Sequence, residues 1–290
     1  MGLIVPQPSS EDRAAGGQRI EGSLRFSNLG TAFAAGTYLT RTPSSAGNTR
    51  TWTWSAWVKR CGMYSNGNNI FAAYVDDNNR DAIRFGGLSA DCYEYQNYDG
   101  GNGYGNRTNS VYRDTNGWYH AVIVYDSTAS SPRVKYYING TQITSLTNQG
   151  SGEVSSNQES HINTTGEHFI GARKDSSGVE GNFDGHISQV HFIDGQALTP
   201  SDFGYTDPLT NVWRPKKYTN TFGKNFPNNP GDIWSSVLTA PVSGFTSAAQ
   251  KFNCFNGVAT NAALAGTNNA TGANIIFTPA TTITGVTKLR

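Results

Sequence analysis

A chain of 290 residues with 22 Lys and Arg against 21 Asp and Glu has a net charge of +1, which leaves no electrostatic footprint for nucleic acid or an anionic membrane. Charged residues are only 15%, while 33 glycines and 12% aromatics recur among many Asn, so alternating strands and tight turns are expected and the fold class is all-β. No run of about 18 apolar residues is present that could cross a bilayer as a helix.

Residues 1–22 are polar, contain Pro6, Pro8, Gly16 and Gly17, and show no periodicity. They read as an extended arm, either a docking peptide for a neighbouring subunit or a tail lying on its own domain. Met1 to Pro8 lacks a basic stretch followed by a long apolar core, so no secretion signal is expected. Leu24 to Phe26 opens the β domain. Trp52 to Val58 alternates strongly: Trp52, Trp54, Ala56 and Val58 share one face and Trp57 takes the other, so the strand should be covered on both sides. Ile70 to Tyr74 and Ala82 to Phe85 are further strands, with a turn at Asp76 to Asn79 between them.

Trp118 to Tyr125 is apolar on both faces and should be central. Val134, Tyr136 and Ile138 alternate with polar neighbours, Asn139-Gly140 offers the two positive-φ positions of a type I′ turn, and Thr141 to Leu146 returns as the partner strand. Phe169 to Gly171 reads as another strand. In Gly185 to Asp194 the apolar Ile187 and Val190 are three apart, which predicts a bulge near Ser188-Gln189 or burial on both faces. Thr199-Pro200-Ser201-Asp202 is a helix start, with a hydroxyl N-cap, proline at N1 and an acid at N3. Residues 213–231, rich in Pro and Asn, form either a linker or an extended segment wrapped on the sandwich, and residues 232–290 form a second β-rich unit. Cys61, Cys92 and Cys254 are odd in number and scattered, which favours reduced thiols; a Cys61–Cys92 bridge is open.

Several blocks occur in a fixed order: Arg113-Asp114-Thr115-Asn116-Gly117-Trp118-Tyr119-His120, Tyr136-Tyr137-Ile138-Asn139-Gly140, Phe183-Asp184-Gly185-His186-Ile187 and the run Phe192 to Gly204. Together they resemble the concanavalin A-like (laminin G-like) sandwich, in the variety carried by tailed-phage and marine viral structural proteins. The resemblance covers roughly Ser23 to Tyr218, and the sandwich domain is placed at residues 23–212. It implies a jelly-roll β-sandwich on a virion surface, in capsid decoration or a tail fibre or spike. The arm and the C-terminal unit would bind other virion proteins or build a homo-oligomer, and the sandwich would contact host glycans. The C-terminal unit itself resembles the opening half of a galactose-binding-like sandwich. A purely architectural subunit, or a carbohydrate-binding module of a larger extracellular protein, are the alternatives.

The resemblance extends to glucan-cleaving members, whose paired carboxylates stand on one strand as Glu-x-Asp-x-x-Glu. Here Glu153, Glu159, Glu167 and Glu180 are isolated, so no enzyme is expected. His120, His161, His168, His186 and His191 lack a Gly-x-Ser-x-Gly partner, and His120 reads as a core or edge imidazole bonded to a neighbouring turn. Members of the fold often hold Ca²⁺ at a loop edge, and Asp76, Asp77, Asn78 and Asp81 could supply oxygens; a solvated hairpin turn is the other reading. Tyr93, Tyr95, Tyr98, Tyr104, Asn106 and Tyr112 fall in a Gly- and Asn-rich stretch with the chemistry of an adaptable recognition loop. Against this, the same stretch could be a long hairpin with Tyr93 and Tyr95 alternating into the sheet.

Overall fold

The computed structural model describes residues 16–20, 22–28, 36–64, 68–86 and 91–223, together with the backbone of one strand, Ser235–Val237. The rest of the expected arm (residues 1–15 and 21), most of the C-terminal unit and Cys254 lie outside the described residues. In chain order the strands are β1 (Leu24–Phe26), β2 (Tyr38–Arg41), β3 (Thr51–Arg60), β4 (Asn69–Asp76), β5 (Asn79–Phe85), β6 (Cys92–Asp99), β7 (Asn102–Val111), β8 (Tyr119–Asp126) and β9 (Val134–Ile138). They continue with β10 (Thr141–Ile143), β11 (Leu146–Asn148), β12 (Glu167–Ile170), β13 (Arg173–Asp175), β14 (Gly178–Glu180), β15 (Gly185–Asp194), β16 (Gly204–Thr206), β17 (Trp213–Pro215) and β18 (Ser235–Val237).

Two antiparallel sheets face each other as an all-β jelly-roll sandwich. The six-stranded sheet runs β1-β15-β3-β8-β9-β10 and the eight-stranded sheet β11-β7-β6-β5-β4-β12-β2-β18. The alternation on β3 sends Trp52, Trp54, Ala56 and Val58 into the space between them, all fully buried. Trp52 stacks on Tyr125 at 5.1 Å and meets the edge of Tyr95 at 5.8 Å. Aromatic pairs at such separations add about 0.5–1.5 kcal/mol each beyond the apolar area they remove from water.

The bulge on β15 is present: its register against β3 shifts between Ser188 and His191, and Gln189 has φ 50°. The extra residue lets Ile187 and Phe192, five apart, both reach the core, while His191 and Ile193 face outward. Asn139 and Gly140 adopt φ 49° and 80°, the expected type I′ pair, and join β9 to β10. The return strand, however, is not continuous from Thr141 to Leu146. After Ile143 the chain leaves β9, Asn109 of β7 donates its backbone N–H to the Ser145 carbonyl at 3.0 Å, and β11 pairs with β7 in the other sheet.

The outer face of the six-stranded sheet is covered by residues 196–223, a strap that includes a 3-10 turn, Pro200–Asp202. Asp202 accepts from the Thr199 N–H and hydroxyl, both at 3.0 Å. β17 returns on β16, and Phe203, Tyr218 and Phe222 pack on His191 and Ile193. Thus the described part of the Pro- and Asn-rich segment, through residue 223, is extended chain wrapped on the sandwich. The described residues of the arm lie on their own chain: Gln18 donates its N–H to the Pro215 carbonyl at 3.1 Å, and the Ser188 hydroxyl donates to Gly22 at 2.6 Å. Cys61 is exposed, Cys92 buried, and both are free thiols.

Trp213 of the strap lies against Gly140 and Gly204, where an added Cβ would approach its ring to 2.5 and 2.4 Å. Gly204→Ala is therefore expected to lower stability by about 1–3 kcal/mol, the usual cost of overpacking. Urea unfolding checks it; a variant as stable as the parent would show that the strap can shift aside freely.

Candidate functional site

Strand alternation sorts the tyrosine-rich hairpin β6–β7 into two faces. Tyr93, Tyr95 and Asn97 point into the sandwich; Glu94, Gln96 and Tyr98 point out of it. On β5 the same rule turns Asp81, Ile83 and Phe85 inward and Arg80, Ala82 and Arg84 outward. Register then sets these residues side by side: Arg80 opposite Tyr98, Ala82 opposite Gln96 and Arg84 opposite Glu94. The next strand, β7, places Gly103, Gly105 and Arg107 beside Tyr98, Gln96 and Glu94.

The short hairpin β13–β14 crosses this outer face against β4, seated on a small apolar cluster that includes Tyr38, Ala72, Ala82 and Phe169. Between the hairpin and β6 lies a shallow cleft, lined by Arg80, Ala82, Gln96, Tyr98, Arg173 and Lys174. Its floor is low because Ala82 carries little side chain. The Arg80 guanidinium lies over the Tyr98 ring, 4.4 Å from its centre, and donates to the Asp77 carbonyl.

Next to the cleft is a buried polar network. Arg84 binds Glu94 through Nε and the Gln96 carbonyl oxygen through Nη2 at 3.0 Å, and Gln149 donates to the other Glu94 oxygen at 3.0 Å. Burial pushes the Glu94 carboxyl up, against the pull of Arg84. With its oxygen taken by Arg84, Gln96 can offer a ligand its NH₂ donors. The other carboxylates near the cleft are also paired, Glu167 with Lys174 at 2.9 Å and Glu180 with Arg173.

Of the six residues expected in a recognition loop, only Tyr98 reaches the cleft. Tyr93 and Tyr95 are fully buried; Tyr93 stacks on Phe85 at 5.0 Å and the Tyr95 hydroxyl donates to Asp81 at 2.9 Å. Tyr112 is buried edge-on to Phe85, and Tyr104 packs half-buried against the core. Asn106 is buried and ties β7 to β11, its amide donating to Asn148 Oδ1 at 2.6 Å. The correction has a simple cause: residues 93 and 95 differ in parity from 98, so one pleated strand cannot present them together.

The four oxygens proposed for calcium do not converge either. Asp81 is buried and turned inward, where it accepts from Tyr95, Asn97, Ser160 and the backbone of His161 and Ile162. Asp76 closes the β4–β5 turn on the Asn78 N–H and the Asn79 amide, and Asp77 binds the Ser176 N–H at 2.8 Å. Asn78 lies in that turn with its carbonyl accepting from Gly101. Among the described residues no three of His, Cys, Asp or Glu are grouped to hold a metal ion.

Arg80, Gln96, Arg173 and Lys174 were not foreseen. The alternation of Arg80 and Arg84 with small Ala82 was a usable sign for the strand. Nothing local announces that residues 173–180 fold across the sheet.

None of the curated proteins matches the chain. Among solved structures it is similar to the native heptameric SAP-like pentraxin from Limulus polyphemus, at 17% identity over 61% of this chain and 78% of that one, with a TM-score of 0.43. It is similar also to domain 4 of AbnA, an extracellular arabinanase from Geobacillus stearothermophilus, in complex with arabinotriose: 19% identity, 64% and 82% covered, TM-score 0.45. A third is the Ruminococcus gnavus IT-sialidase CBM40, at 11% identity, 56% and 94% covered, TM-score 0.39. The laminin G family model described as the concanavalin A-like lectin/glucanases superfamily matches residues 33–202, more than half of the sequence, and the chain belongs to that superfamily.

Proposed function

We propose that the chain is a non-catalytic glycan-binding module on the surface of a virus particle, with the outer-face cleft of the eight-stranded sheet as its binding site. The observation that carries the glycan reading is the cleft itself: a phenol ring, amide donors and fixed cations converge over a floor of small residues, the mixture of flat apolar surface and directed polar groups that a sugar ring needs. Pairing of Glu94, Glu167 and Glu180 with cations supports a non-catalytic role, because each carboxylate beside the cleft is already engaged. The particle context rests on the ordered blocks of sequence that resemble phage and marine viral structural proteins. Residues 1–15 and 238–290 would join copies or other virion proteins, and multivalent display would turn weak single-site binding into firm adhesion.

The test is a glycan array on the recombinant chain, with and without Ca²⁺, and solution mass measured alongside. Saturable binding to particular sugars is expected, unchanged by Ca²⁺, about tenfold weaker in Tyr98→Ala and intact in Tyr104→Phe. An assembling protein that binds no sugar would overturn the proposal and leave an architectural subunit.

A further inference from the structure

We infer that the cleft takes a saccharide carrying an anionic group, a carboxylate or a sulfate ester, in preference to a neutral sugar; this rests on the cleft being the glycan site. Three cationic side chains line it, Arg80 from β5 and Arg173 and Lys174 from β13. Only one lining residue bears a carboxyl group, Asp81, and that group points away into the sandwich, where Tyr95, Asn97 and Ser160 hold it. The acids that pair with the cations, Asp77, Glu167 and Glu180, do not line the cleft. The cleft is therefore lined by cations whose partner carboxylates are not part of its lining. A concave surface of one sign with low-dielectric walls concentrates its field inside.

The arrangement of the arginines strengthens the point. Arg80, Arg84 and Arg173 are close enough that, after burial itself, Arg84 and Arg80 help pull the Arg173 guanidinium below the usual arginine range, with Glu180 opposing. Three guanidinium groups thus lie near one another, each also paired with a carboxylate. Guanidinium groups match the planar carboxylate and the sulfate oxygens with paired N–H donors, and Gln96 adds neutral donors beside them.

Matched pairs of sugars test this: sialyllactose against lactose for the carboxylate, and sulfated against unsulfated galactose oligosaccharides for the ester. The expected result is at least about tenfold tighter binding of the acidic member of one pair, with the preference shrinking as NaCl rises from about 50 to about 500 mM. Which pair responds identifies the anion. In the Arg80→Gln, Lys174→Gln double variant both members should bind more weakly, the acidic member by the larger factor, so that the preference is lost. If that variant fails to melt like the parent, the salt titration of the parent decides alone. Equal binding of acidic and neutral members would overturn this inference and leave the glycan reading standing; no binding to any sugar would overturn both.

Discussion

Acidification from pH 7 to pH 5 is expected to cost the folded state about 6 kcal/mol, much of the 5–15 kcal/mol that holds a typical domain together. Three imidazoles are responsible. His120, His168 and His191 are buried, and desolvation holds them down to about 3, about 3 and about 4. Their hydrogen bonds fix the neutral form at two of these sites. Trp213 can only donate, so His120 Nδ1 accepts its indole N–H at 3.0 Å and Nε2–H donates to the Ser55 hydroxyl at 2.9 Å. At His168, Nε2 accepts the Asn163 N–H at 3.0 Å, so Nδ1–H donates to the Gly166 carbonyl at 2.8 Å. His191 lies among Phe203, Tyr218 and Phe222.

Each folded-state value lies below the unfolded value near 6.5, so the unfolded chain binds more protons, and stability is whole above pH 6.5 and lost as pH falls towards 3 to 4. Between pH 7 and 5 each group contributes about 2 kcal/mol, a figure set almost wholly by the unfolded value. Glu94, pushed up by burial, works in the opposite sense, one group against three. Two of the rings sit under the strap, so the strap and the Ser160 to His168 loop should loosen first. Urea unfolding followed by circular dichroism at pH 7 and pH 5 measures the loss. An unchanged midpoint would mean that the rings take up protons within the fold, contrary to their burial.

The local elements of this fold were legible because short-range chemistry sets them. The Asn139-Gly140 turn needs two positive φ values, the Thr199 turn needs its acid at Asp202, and the phase error between Ile187 and Val190 demands an extra residue. Trp57, alone on the outer face of β3, announced that something must cover that face; it meets His120 at 5.0 Å, and the strap closes over both. What escaped was long-range. The His120 backbone N–H does bond the nearby turn, at Asn139 Oδ1, but its ring is held by Trp213, far along the chain. The sheet change after Ile143 and the fold of β13–β14 over the cleft depend on partners that no window of sequence contains. The parity that separates Tyr98 from Tyr93 and Tyr95 was readable, and it decides which tyrosine can meet a ligand.

Asp81→Ala is expected to lower stability by about 4 kcal/mol, although the residue lies in a stretch that resembles a solvated acidic turn. Its carboxylate is the common acceptor of five donors: the Tyr95 hydroxyl, the Asn97 amide, the Ser160 hydroxyl and the backbone N–H groups of His161 and Ile162. A buried donor left without a partner costs about 1–3 kcal/mol. Tyr95 and Ile162 could fall back on Ser160, at 3.5 and 3.0 Å, and Asn97 on the Glu159 carbonyl at 3.4 Å, so Ser160 and His161 carry most of the loss. The effect should spread through Gln158, whose amide donates to Asn97 at 2.6 Å and whose carbonyl accepts from Tyr125 at 2.8 Å, to the ring stacked on Trp52. Asp81→Asn keeps the shape and one acceptor oxygen, and about half the loss is expected. Chemical denaturation of the two variants gives the magnitudes, and hydrogen exchange at His161 and Ile162 should show the loop released. A melting temperature of the parent that rises with Ca²⁺, with Asp81→Ala abolishing the rise, would instead make this carboxylate a metal ligand. If Asp81→Ala costs under about 1 kcal/mol, the network does not hold the loop to the sheet.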